Sequence, residues 1–168
     1  MSQARRFLTA EWRYLIMLNY HIDPAVLRPF IPQGTELDSW QDQTFISIVG
    51  FMFRNTRLLG LPIPGHINFE ELNLRFYVRR KGPEGWRRGV VFIKELVPRW
   101  AIATMARLIY NENYVSLPMR HEIKRGAGET AVAYQWRWQN TWHSVQIRAN
   151  GNRRIEKERA QKEQTTTE

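Results

Sequence analysis

The sequence contains no cysteine, and this absence removes several classes of chemistry at once. Without thiols the chain cannot form disulfides, use a thiolate nucleophile, or bind zinc or an iron–sulfur cluster through sulfur. It also lacks the run of about 18 apolar residues that a membrane-spanning helix needs. The apolar segment near the N-terminus is interrupted by Glu11 and Arg13, which argues against a signal peptide. We therefore expect no membrane association and a cytoplasmic location.

Motifs for common catalytic and nucleotide-binding sites are missing as well. The four histidines show no spacing typical of a metal site, and there is no GxSxG, Walker or GxGxxG motif. The sequence therefore predicts no metal and no cofactor. Hydrolase and dinucleotide-binding functions are disfavoured for the same reason.

What the chain does contain is typical of one globular domain. It has 168 residues, of which 43% are hydrophobic and 12% aromatic, and this composition excludes disorder over most of its length. We expect a single domain over residues 1–152. Residues 153–168 are strongly charged and are predicted to form a disordered tail.

The formal net charge of +9 is concentrated in the middle of the chain. Residues 75–125 carry 12 basic and 4 acidic side chains, whereas residues 1–74 carry 6 basic and 7 acidic ones. A basic segment can bind nucleic acid, but no RRM, KH, zinc-finger or helix-turn-helix signature accompanies it. Several of its arginines flank the turn at Gly82-Pro83-Glu84-Gly85. Solvated charge at a hairpin tip is therefore the preferred interpretation, and nucleic-acid binding is disfavoured.

Hydrophobic periodicity predicts an α+β, mainly β fold with two helices. Asp23-Pro24 predicts a short helix through Phe30, and a wide apolar stripe predicts a second helix over Pro98–Tyr110. We expect Trp12–Tyr20 to be buried and Thr44–Arg54 to be a central strand. The predicted strands are Trp12–Tyr20, Leu37–Trp40, Thr44–Arg54, Phe69–Arg79, Trp86–Val97, Met119–Arg125, Glu129–Trp138 and Trp142–Ala149.

Three residues are candidates for ligand binding. On the Phe69–Arg79 strand, Glu71 and Arg75 point away from the apolar side chains by the two-residue period. They are ordinary surface residues if that face meets solvent, and ligand contacts or ion pairs if the sheet curls around an interior. Arg107 lies on the predicted second helix among apolar neighbours. It needs an acidic partner or an anionic ligand there, unless its side chain extends outward to water.

Several segments resemble a known family. Phe7–Trp12, Asn68–Arg79, Gly89–Ile93 and Ala101–Tyr110 are similar to the uncharacterised YqjF-like family of the acetoacetate decarboxylase-like superfamily. The resemblance runs from about residue 6 to residue 150. It implies a curled, largely antiparallel sheet or partial barrel that encloses a cavity, with helices outside.

The resemblance also bears on chemistry. In the decarboxylase an active-site lysine, which lies shortly after a helix similar to Ile102–Tyr110, forms a Schiff base with the keto acid. Here the corresponding stretch, Asn111–Pro118, has no lysine, and Lys94 precedes the helix. Schiff-base decarboxylation is therefore disfavoured. Glu70 or Glu71 resembles a cavity glutamate of the decarboxylase.

Three hypotheses about function follow. The leading one is a domain that binds a small anionic or carbonyl-containing molecule through Glu71, Arg75 and Arg107; any catalysis would use Glu71 as general acid–base, with Arg107 stabilising negative charge. Family members extend beyond the strand that resembles Trp142–Ala149, so the second is a non-catalytic or vestigial domain that forms a homo-oligomer through an exposed sheet edge. The third is nucleic-acid binding through residues 75–125.

Overall fold

The computed structural model describes residues 8–62, 64–98 and 113–150, and these residues form mainly β-structure. The predicted helix over 98–110, which contains Arg107, and the predicted tail over 153–168 lie outside the described residues. One α-helix, α1 (Pro24–Leu27), is followed by a 3-10 turn, Arg28–Phe30. The strands are β1 (Leu8–His21), β2 (Glu36–Leu37), β3 (Phe45–Leu58), β4 (Leu61–Pro62), β5 (Phe69–Gly82), β6 (Gly85–Val97), β7 (Tyr114–Ser116), β8 (Met119–Gly126), β9 (Glu129–Trp138) and β10 (Thr141–Asn150).

The strands form two open, curled sheets. The larger sheet has the order β1-β3-β5-β6-β7, with β2 added to β5 and β4 added to β3. The smaller sheet has the order β10-β9-β8. Among the described strands, all pairs are antiparallel except β6–β7, which is parallel. The mainly β prediction is confirmed, and the curled sheet is divided into two layers that, in the described residues, do not close into a barrel.

The long hairpin β5–β6 is confirmed where the alternation and the turn predicted it. Gly82 pairs with Gly85 at the tip, and the register runs without interruption to Arg75 and Phe92. A β-bulge between Leu74 and Arg75 then shifts the register by one residue. This hairpin places alternate side chains of β5 on opposite faces of the larger sheet.

The smaller sheet packs against one face of the larger sheet, called here the packing face. The buried core between the sheets consists of Ile16, Met52, Leu72, Leu96, Val132, Tyr134 and Val145. Tyr134 lies directly over Gly50, where an added Cβ would stand 2.6 Å from the Tyr134 Cδ2 atom. Glycine at position 50 is therefore required by the close approach of the aromatic ring.

The prediction that Trp12–Tyr20 is buried is wrong. Trp12 is 61% and Tyr20 50% exposed, and Ile16 is the one residue of that segment in the buried class. The reason is that β1 is an edge strand, paired with β3 on one side among the described residues. Self-association through an exposed edge stays a prediction.

A bulge in β1 ties this edge to the core. Tyr14 has a φ of 55°, in the left-handed region that is strained for a residue with a side chain. The Tyr134 hydroxyl donates a hydrogen bond of 2.8 Å to the Tyr14 carbonyl oxygen. The smaller sheet thereby holds an irregular segment of the larger one.

The first predicted helix is confirmed at its start. Asp23 accepts a hydrogen bond of 2.8 Å from the Ala25 N–H, which is the N-cap contact that Asp-Pro predicted. The central position of β3 between β1 and β5 is also confirmed. The predicted strand Leu37–Trp40 is shorter, since β2 ends at Leu37 and Trp40 makes an isolated bridge to Gln43.

Candidate functional site

The face of the larger sheet opposite the packing face carries a line of polar side chains, called here the polar row. Cross-strand register places its members next to one another on β1, β3, β5 and β6. The polar row comprises Asn19, Ser47, Glu71, Asn73, Arg75, Tyr77 and Glu95. Four of them are almost fully buried, with exposed fractions of 0% for Ser47, 3% for Glu71, 3% for Asn73 and 2% for Glu95. This part of the face is therefore not a solvent-exposed sheet surface.

Two buried carboxylates flank Asn73. Asn73 and Glu95 are directly opposite each other on β5 and β6, and Glu71 is the next residue of β5 on the same face. Glu71 is opposite Phe51, whose ring stacks on Trp12 with centroids 4.8 Å apart. Glu71 is therefore the member of the polar row that lies next to the stacked rings of Trp12 and Phe51. Burial of two carboxylates so close together requires hydrogen bonds or countercharges.

Arg75 brings positive charge to the polar row. It is opposite Ser47 on β3 and two residues from both Asn73 and Tyr77, and it is half-buried. Its Nε and the Asn73 Oδ1 atom are buried, and neither has a hydrogen-bond partner among the residues that the structure describes. Buried polar atoms are normally satisfied, so this donor and this acceptor are available to a bound molecule or water.

A hydrogen-bond network continues the polar row toward an open pocket. The Ser47 hydroxyl donates to Asn19 Oδ1 at 2.5 Å and lies 2.8 Å from the Tyr77 hydroxyl. Asn19 and Tyr77 then line a pocket of about 320 Å³. Its other lining residues are Asp38, Ser39, Trp40, Phe45 and Arg88. A small molecule in this pocket would thus reach the end of the polar row.

The structure distinguishes the two adjacent glutamates of β5. Glu70 points to the packing face, where its Oε2 lies 3.0 Å from Nδ1 of His121 on β8. Burial, with the negative charge of Glu70 as a second cause, raises the pKa of the nearby Tyr134 well above its ordinary value. Glu71 points to the polar row. Glu71 is therefore the glutamate to consider for ligand chemistry, and Glu70 connects the two sheets.

Lysine is absent from the polar row. Lys94 is paired with Leu74 and lies with Leu72 and Leu96 in the lining of a cleft on the packing face. The stretch from residue 113 to residue 118 contains no lysine. Of the three candidates from the sequence, Glu71 and Arg75 lie on the same face of β5, four residues apart, and Arg107 lies outside the described residues.

Several basic side chains of the middle segment are paired with carboxylates. Arg79 Nε lies 2.7 Å from Glu36 Oε1, Arg88 Nε lies 3.1 Å from Asp38 Oδ2, and Arg87 contacts Glu84. These pairs lie along the hairpin near its tip, and the alternatives of solvated charge and nucleic-acid binding stay predictions. Within the described residues, no three His, Asp or Glu side chains are grouped to hold a metal, and no helix could cross a membrane.

Sequence reasoning missed Glu95, Ser47 and Asn19. Glu95 could have been predicted, because the two-residue period of its strand places it on the face opposite the apolar Leu96. Ser47 and Asn19 carry no signal of their own. They join the polar row through the register of β1 and β3, where Asn19 pairs with Ser47.

The fold is shared with two groups of solved enzymes. The enduracididine biosynthesis enzyme MppR, in a complex with the condensation product of pyruvate and imidazole 4-carboxaldehyde, superposes with a TM-score of 0.62 at 15% identity, over 84% of this chain and 55% of that one. Acetoacetate decarboxylase from Legionella pneumophila gives a TM-score of 0.55 at 15% identity, over 78% of this chain and 50% of that one. These likenesses establish the acetoacetate decarboxylase-like fold.

Sequence comparison gives a relative in Bacillus subtilis (strain 168). Its uncharacterized protein YqjF is 41% identical over 75 residues, which are 44% of this chain and 31% of that protein. The chain thus spans about half the length of the two solved enzymes and about a third of the length of YqjF. Residues 9–168 match the model of a family described as an uncharacterized conserved protein, DUF2071. The chain therefore belongs to the DUF2071 family, a YqjF-like family with an acetoacetate decarboxylase-like fold.

Proposed function

We propose that the chain binds a small carboxylate with a carbonyl group, such as a 2-keto acid, at the polar row. The observation that carries the proposal is the combination of buried Glu71, Asn73 and Glu95 with an arginine whose Nε has no hydrogen-bond partner in the described part of the chain. Arg75 donates to the ligand carboxylate, which is the anion that a guanidinium fits best. Asn73 Oδ1 accepts a hydrogen bond from the enol or hydrate form of the carbonyl group.

The fold relatives support this ligand class. MppR holds pyruvate in one solved complex and a condensation product of pyruvate in another. Pyruvate has the carboxylate and the adjacent carbonyl that Arg75 and its neighbours suit. Because the identity is 15%, the likeness supports the location of a site on this fold and leaves the ligand to be tested.

Glu71 is the group proposed to transfer a proton if the bound molecule reacts. It is buried beside Phe51, and a carboxylate in such an environment can remove a proton adjacent to a carbonyl group. Arg75 and, by proposal, Arg107 would stabilise the negative charge that develops. No lysine lies on the polar row, so this chemistry proceeds without a Schiff base.

The test is binding of pyruvate to the chain and three variants, measured by calorimetry and thermal shift. Arg75→Gln removes a charged hydrogen bond, and we expect pyruvate affinity to fall by about 10-fold or more. Glu71→Gln should change affinity less and abolish any exchange of the methyl protons of pyruvate with D₂O. Arg80→Gln is the matched control, since Arg80 is an exposed neighbour on β5.

Two results would contradict the proposal. One is unchanged pyruvate affinity in Arg75→Gln and Glu71→Gln; the other is an equal loss in Arg80→Gln. Borohydride added with pyruvate should leave the mass of the chain unchanged. A mass increase by the reduced adduct would reveal a Schiff base at a lysine and would overturn the lysine-free chemistry.

A further inference from the structure

A second cleft lies on the packing face, on the other side of the larger sheet from the polar row. The face of β9 that packs through Val132 and Tyr134 continues with Trp136 and Trp138, and these two tryptophans face a cleft between the sheets. The space between them has a volume of about 250 Å³. It is lined by Ile48, Leu72, Leu74, Lys94, Leu96, Trp136, Trp138 and His143.

The lining of this cleft is apolar except for Lys94 and His143. Lys94 lies on the same face of β6 as the apolar Leu96. Its Nζ atom stands 4.8 Å from the centre of the Trp138 ring. No carboxylate among the described residues forms an ion pair with it. A half-buried ammonium held by a cation–π contact alone retains capacity for an anion.

The aromatic walls fit a flat ligand. Trp136 and His143 stack with their ring centres 5.6 Å apart and their planes at 23°, which gives a planar wall next to Trp138. An engineered apolar cavity of about 150 Å³ is large enough for benzene. A cleft of about 250 Å³ therefore has room for one ring and a short charged group.

We infer that this cleft binds a single-ring aromatic carboxylate, with the ring between the tryptophans and the apolar residues of the larger sheet and the carboxylate on Lys94. The inference is independent of the site at the polar row, because Lys94 and Arg75 lie on opposite faces of the sheet. A neutral ring would gain the apolar contacts only, and a cationic ring would be repelled by Lys94.

The test uses benzoate as the probe, with benzyl alcohol and benzylamine as neutral and cationic analogues of the same size. Saturation-transfer NMR and tryptophan fluorescence measure binding to the full chain. We expect benzoate to bind at least about fivefold more tightly than benzyl alcohol, as one ion pair contributes roughly 1 kcal/mol at a half-buried site. Benzylamine should not bind. Equal affinity for benzoate and benzyl alcohol would overturn the inference without any variant.

Variants locate the site. Lys94→Met keeps the apolar stem and removes the charge, so benzoate affinity should fall to that of benzyl alcohol, whereas Lys81→Met, at the exposed hairpin tip, should leave it unchanged. Arg75→Gln should also leave benzoate binding unchanged. Loss of benzoate binding in Arg75→Gln but not in Lys94→Met would assign benzoate to the polar row and refute the cleft.

Discussion

The contact between Gly50 and Tyr134 gives a sharp prediction about how the two sheets fit. A Cβ at position 50 would lie 2.6 Å from Tyr134 Cδ2 and 3.2 Å from both Cε2 and Cγ. Non-bonded carbon atoms prefer about 3.5–4.0 Å, so Gly50→Ala forces one of the two elements to move. Tyr134 is fully buried and its hydroxyl is hydrogen-bonded to the Tyr14 carbonyl oxygen, so the ring cannot move away from position 50 without losing contacts.

The net cost follows from two opposing effects. Overpacking a core position costs about 1–3 kcal/mol, and the contact at Gly50 belongs to the upper part of that range because both partners are fixed. Alanine also restricts the unfolded chain, which returns about 0.4–1 kcal/mol. We therefore expect Gly50→Ala to lower the free energy of unfolding by about 2 kcal/mol. For a chain of this size that corresponds to a melting temperature roughly 4–8 °C lower.

Urea unfolding and thermal melts measure this effect against a matched glycine. Gly89→Ala is the control, since Gly89 is also in a strand and its added Cβ would meet Val78 Cγ2 at 3.9 Å, an ordinary contact. In Gly50→Ala combined with Tyr134→Leu, the substitution at position 50 should cost less than in the wild-type background. If Gly50→Ala is as stable as the wild type, or if Gly89→Ala is equally destabilised, the close packing of Tyr134 on Gly50 is refuted.

Two further predictions concern the contacts between the sheets. Burial raises the pKa of Tyr134, so folding favours the protonated hydroxyl. The stabilisation by this hydroxyl is fully present below the pKa of an unfolded tyrosine, about 10. It is lost as the pH rises beyond that value toward the pKa of the folded state. In a titration of tyrosinate absorbance, one tyrosine should ionise only with alkaline unfolding, and Tyr134→Phe should remove that step; an unchanged titration curve would count against it. His121→Ala leaves the Glu70 carboxylate buried without its partner, and since the His121 side chain is 38% exposed we expect a loss of about 1–2 kcal/mol in urea unfolding. Adding Glu70→Gln to His121→Ala should recover part of the loss, and no recovery would mean that the charge is not its cause.

The alternation of apolar and polar residues predicts most of the strands, and it places Glu71 and Leu72 on opposite faces of β5. The two-residue period and the Gly82-Pro83-Glu84-Gly85 turn determine the β5–β6 hairpin, because register in a hairpin is fixed by the turn. The burial of Trp12–Tyr20 was mispredicted for a physical reason. Composition reports how apolar a strand is, whereas its exposure depends on its place in the sheet, which long-range pairing decides.

The sequence predicts which residues of β5 belong to the candidate site, and it does not predict which residues of other strands lie next to them. Glu71 and Arg75 were identifiable from alternation on one strand, but Glu95 and Ser47 reach the same row through pairing with two other strands. Choosing between Glu70 and Glu71 required knowing which face the smaller sheet covers. Three strands more than 40 residues away along the chain decide that face, and no local pattern contains it.

The adjacent glutamates also have a consequence for folding. A shift of β5 by one residue would exchange its faces, so that Glu71 would enter the layer between the sheets and Leu72 would enter the polar row. Each such exchange would separate a charge from its neighbours on one face and leave an apolar side chain among polar groups on the other. Mispaired forms of this sheet are therefore disfavoured on both faces at once, and the side chains of the polar row also select the correct alignment of β5.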